Sequence, residues 1–85
     1  MTRPIDAPER QRLQELASVL RDAACDALAR GSIVAQALDE SRGEIERLLM
    51  LEQIDASELR RVATRAEMML DAWRGLTGKV AGRGR

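Results

Sequence analysis

The stretch whose reading decides the fold is SIVAQALDESRGEIERLLM, from Ser32 to Met50. It can be one helix, or two short helices broken between Asp39 and Arg42. Val34, Leu38, Ser41, Ile45, Leu48 and Leu49 keep a single helical face in phase through Gly43, which falls on the opposite, outer side. Ser32 is suited to cap the start, because its hydroxyl can accept from an orphan N–H of the first turn. An exposed helical glycine costs ~1 kcal/mol relative to alanine. Phase continuity therefore favours one helix over 32–53.

Apolar stripes of the same kind flank it. Before it, Leu13, Leu16, Ala17, Leu20, Ala23, Ala24, Ala27 and Leu28 hold a helical face for more than four turns. Arg30 and Gly31 supply a cation in the last turn and a residue that tolerates the left-handed stop. A helix over 7–30 is expected, roughly 35 Å long at ~1.5 Å per residue. After it, Leu59, Val62, Ala63, Ala66, Met69, Leu70 and Trp73 form a third stripe. Asp55 and Glu58 have the spacing of a capping box, with Ile54 and Leu59 as its hydrophobic staple. Gly75 is the expected stop, with Leu76 folding back on Leu70. The start at Ile5-Asp6 looks weaker, because Pro8 disfavours helical geometry at Ala7 and Arg10 stands where the staple needs an apolar residue.

The fold class is thus all-α: a three-helix bundle, or a long helical hairpin plus a third helix. Residues 1–6 form an arm, 7–74 one helical domain (helices 7–30, 32–53 and 56–74), and 75–85 a flexible basic tail. The chain has 85 residues, with no Phe, no Tyr and one Trp. Few side chains can bring large area to a core, and small scaffolds of this kind gain from association. A homodimer is expected.

Charge and residue types narrow the function. All fourteen acidic residues precede Gly75, so 1–74 carry a net −3 and the tail, with Lys79, Arg83 and Arg85, a net +3. A mildly acidic body does not make a phosphate-binding surface. Histidine is absent and Cys25 is alone, which leaves no imidazole base, no thiol-base pair and no zinc spacing. No catalytic residue, metal or cofactor is expected. A single cysteine and the lack of any leader or membrane-spanning stretch point to the cytoplasm.

The segment IVAQALDESRGEIERLLM also resembles the helix-turn-helix pattern. Ala35 sits where the first helix needs a small residue, Leu38 and Ile45 at core positions, and Ser41 at the start of the recognition helix. The resemblance implies DNA contacts from Arg42 and Arg47, with Lys79, Arg83 and Arg85 as further cations. Asp39 replaces the glycine of the turn and Glu40 the apolar residue after it. Glu44, Glu46 and Glu52 would repel phosphates. A small DNA-binding regulator using 34–49 is therefore the alternative reading.

The run Leu48-Leu49-Met50-Leu51 is apolar on every side of a turn, and Met68 points away from its own stripe. Such a surplus beyond one buried face marks a protein interface. Leu48, Met50, Leu51, Met68 and Trp73 are the expected hydrophobic anchors. The expectation is a non-enzymatic interaction module: an adaptor, a chaperone or a small inhibitor of a larger partner, with no membrane role.

Overall fold

A computed structural model describes the backbone of residues 1–83 and the side chains of residues 1–77. The all-α expectation holds. Three helices run in chain order, α1 Ala7–Ala29, α2 Val34–Leu49 and α3 Ala56–Arg83, with one two-stranded ladder at their base.

The first helix opens on a complete capping box. The Asp6 carboxylate accepts from the Glu9 N–H at 2.9 Å, and the Glu9 carboxylate accepts from the Asp6 N–H at 3.3 Å. Pro8 does not weaken this start, contrary to the sequence reading. Proline belongs in a first turn, where its missing N–H would have had no partner. The helix closes in a full Schellman motif. Gly31, at φ 71°, donates to Leu28 O at 3.0 Å, and Ser32 donates to Ala27 O at 2.8 Å.

The second helix is uninterrupted from Val34 to Leu49. Ser32 Oγ accepts from the Val34 N–H at 3.3 Å, close to the expected cap. Gly43 lies inside the helix, and a Cβ there would meet nothing within 4 Å. The helix stops four residues short of the expected 53. Arg10, reaching from α1, donates to the Leu49 carbonyl at 3.0 Å and satisfies an orphan acceptor of the last turn. Ile54 is then free to enter the core, where it is 2% exposed.

The arm is not loose. Strand β1 (Thr2–Arg3) pairs antiparallel with β2 (Ile54–Asp55), Thr2 opposite Asp55 and Arg3 opposite Ile54. Thr2 Oγ1 also donates to Gln53 Oε1 at 2.9 Å. The chain reads IDAPER from Ile5 and IDASEL from Ile54, and this pairing brings the starts of these two similar stretches to one end of the bundle.

The third helix does not end at Gly75; its backbone continues to Arg83. The Thr77 hydroxyl donates to the Trp73 carbonyl at 3.1 Å across that glycine. The backbone passes Gly75, Gly78 and Gly82 on the way, each at a cost of ~1 kcal/mol relative to alanine, so a glycine alone does not stop this helix. Leu76 is 53% exposed and does not fold back on Leu70. The flexible basic tail expected over 75–85 has a helical backbone as far as Arg83, and residues 84–85 lie outside the described residues.

Helices α1 and α2 pack closely along their length, and α3 lies chiefly on α2 and more thinly on α1. Among the described residues, six of the sixteen buried apolar ones are alanines, which lets α1 and α2 approach closely but leaves a thin core. Ser41 faces that core with no exposure, and its hydroxyl has no hydrogen-bond partner among the described residues.

Candidate protein-binding surface

The five expected anchors divide into two groups. Leu48 and Trp73 are 5% and 8% exposed and belong to the core, so neither presents an anchor at the surface. Both sit on the stripe of their own helix, and burial against the neighbouring helices takes them. Trp73 also carries the Arg30 guanidinium over its ring, 5.9 Å from the centroid. Met50, Leu51 and Met68 are exposed, at 85%, 46% and 67%. Met50 and Leu51 lie in the connection after α2. Met68 lies on the outer face of α3, in a shallow groove of about 490 Å³ with Thr64, Met69 and the arginines at 60, 61 and 65.

Further exposed apolar side chains escaped the sequence reading. Ile33 stands free in the α1–α2 turn, and Leu28 is 73% exposed. Leu28 belongs to the α1 stripe, but α2 begins only at Val34 and does not cover it. It borders a groove of about 350 Å³ between the two helices, floored by Ala24 and Ala35 and edged by the exposed thiol of Cys25. Val19, also on α1, lies in a separate groove between α1 and α3.

The cations expected for DNA are placed differently. Arg42 is held by Asp39 at 2.8 Å and Glu46 at 2.6 Å. The hydrogen bonds it donates, to Asp39 first and Glu46 second, raise its pKa, and the two carboxylates offset its charge locally. Arg47 is exposed. The side chains of Lys79, Arg83 and Arg85 lie outside the described residues. A helix-turn-helix in 34–49 needs a turn near 39–43, and α2 has none there. On α3, Arg61 pairs with Glu58 at 3.0 Å and Arg65 with Glu44 at 3.7 Å, which makes that face a mixed, ion-paired surface.

Among the described residues no group of three His, Cys, Asp or Glu side chains is placed to hold a metal ion. No described helix is long and apolar enough to cross a membrane. Comparison with protein-family models, with curated proteins and with solved structures finds no match to this chain.

Proposed function

We propose that this chain is a non-enzymatic protein-interaction module that works through the apolar surface of its helices, as an adaptor, chaperone or inhibitor of a larger partner. One observation carries the reading. On a bundle whose core is thin, Leu28, Ile33, Met50 and Met68 are each more than two-thirds exposed. Large apolar side chains left in water beside small core residues are what association would cover. The reading places the protein in the cytoplasm and gives it no cofactor.

The test is affinity capture from the native host, with wild type set beside variants carrying Met50→Glu or Met68→Glu. The expected result is a specific protein retained by wild type and lost from at least one variant. Retention of nucleic acid alone, with a shifted DNA duplex and no captured protein, would overturn the reading in favour of a DNA-binding regulator.

A further inference from the structure

A groove runs between α1 and α3, where the two helices pack thinly. The Arg12–Glu67 ion pair bridges it and divides it in two. One half, about 490 Å³, is floored by Leu16, Val19 and Leu70. The other, about 300 Å³, is floored by Leu13, Leu59 and Ala63.

The rim charges are not symmetric about that bridge. In the smaller half Arg3 and Glu9 cancel as an ion pair, and Arg60 remains, a net of +1. In the larger half Glu15, Asp71 and Arg74 give a net of −1. None of these last four side chains has an ion-pair partner among the described residues. Arg60, Thr64, Glu67 and Asp71 follow one another at spacings of four, three and four, so they form one row along α3. Arg60 and Asp71 stand about three helical turns apart on that row, on opposite sides of the bridge.

We propose that the occupant of this groove is a second copy of the same chain, docked antiparallel about a two-fold axis that passes near the Arg12–Glu67 pair. A two-fold interface is isologous: whatever one copy offers at a position, it receives at the mate of that position. Rotation about this axis exchanges the halves and lays α3 on α3 of the other copy. Arg60 of each copy then faces Asp71 of the other, and Thr64 faces Glu67. The exposed Val19 and the half-buried Leu16 and Leu59 are then covered on either side of the axis, with the Arg12–Glu67 pairs of both copies between them. A foreign partner would need an independent match to the +1/−1 pattern; a second copy has it by construction. This inference goes beyond the interaction-module reading, because the groove holds none of Leu28, Ile33, Met50 and Met68 and so adds a separate face with one partner.

The experiment is sedimentation velocity on the purified full chain across the micromolar range, at low and high salt. Wild type is expected to be a dimer that weakens with salt. Val19→Glu, which puts a charge on the floor at an already exposed position, is expected to give a folded monomer by circular dichroism. Arg60→Glu and Asp71→Arg should each raise the dimer Kd by about tenfold or more, through like charges brought face to face. The double variant R60E/D71R restores the opposite-charge pairing in both copies and should recover most of the wild-type affinity. The proposal is overturned by a wild-type monomer throughout the range. It is equally overturned by a dimer that Val19→Glu and the single reversals leave intact, or by a double variant no tighter than the singles. A monomer that still captures a cellular protein would sink this inference and leave the interaction-module reading standing.

Discussion

The two helix starts invite comparison because their sequences are nearly the same and their structures are not. Ile5-Asp6-Ala7-Pro8-Glu9 opens α1, and Ile54-Asp55-Ala56-Ser57-Glu58 opens α3. In both, the isoleucine is buried and the aspartate caps. At the first, Asp6 bonds the Glu9 N–H, and Glu9 reaches back to complete the box. At the second, Asp55 accepts from the Ser57 N–H at 3.1 Å and the Ser57 hydroxyl at 3.0 Å, while Glu58 turns away to Arg61. The residue that decides is the one at the third place after the isoleucine. Pro8 has no N–H, so Asp6 must reach one residue further and finds Glu9. Ser57 offers two donors at once and holds Asp55 where it is. A capping pattern of four residues is thus settled by the residue inside it that the pattern ignores.

The comparison can be broken at its apolar end first. Ile54 is 2% and Ile5 9% exposed, so Ile54→Ala should cost about 3 kcal/mol and Ile5→Ala about 2 kcal/mol in denaturant unfolding. Losses in the reverse order would mean that the start of α1, not that of α3, anchors the bundle. The caps come next. Asp6→Ala removes the side-chain acceptor of the Glu9 N–H, while the backbone N–H at position 6 keeps its bond to Glu9, and should cost about 1 kcal/mol. Asp55→Ala removes one carboxylate that accepts from both the N–H and the hydroxyl of Ser57, and should cost about as much. A clearly larger loss at Asp6 would show that the two bonds of the box depend on each other.

A subtler change converts one start into the other. Ser57→Pro removes both donors that hold Asp55, at a position in the first turn where proline is tolerated. The Glu58 amide should then gain protection from hydrogen exchange as Asp55 moves to it, with stability changed by less than about 1 kcal/mol. A loss near the ~3 kcal/mol of an interior proline would refute the explanation.

The smallest effect is a matter of pH. The Arg3 guanidinium, bonding Glu9 at 2.6 Å, holds the Glu9 carboxyl down from 4.5 to about 2. A carboxyl depressed on folding stabilises the fold fully above its unfolded value, and that contribution is lost as pH falls from about 4.5 towards 2. Glu9 is solvent-facing, so screening keeps the effect small. Glu9→Gln should flatten this part of the acid limb of a stability-versus-pH curve. The Asp55 carboxyl is also lowered, by the Ser57 backbone bond first and its hydroxyl second. Asp55→Asn should act in the same direction and less.

Much of this fold was legible from apolar period alone. The three stripes located the helices, and the phase of Val34, Leu38, Ser41, Ile45 and Leu48 carried α2 through Gly43. The ends were less legible, because partners from elsewhere in the fold help set them. Arg10 of α1 caps α2 at Leu49, and no residue near 49 announces it. A two-residue ladder has no period to detect, so β1 and β2 left no trace. At the surface, position relative to the stripe was the better guide. Met50, Leu51 and Met68 lie off it or past the helix end and emerged exposed; Leu48 and Trp73 lie on it and went into the core. Leu28 breaks that rule, since whether a stripe residue is covered depends on how far the neighbouring helix reaches.

The ladder between β1 and β2 also imposes an order of events. Each helix start is specified by residues within a few positions of it, and α1 with α2 forms a hairpin of consecutive elements. Contacts of that kind cost little loop entropy and form early. Thr2 and Arg3, by contrast, wait for partners some fifty residues further along the chain. By loop entropy alone, pairing of β1 with β2 is expected to follow formation of the α1–α2 hairpin.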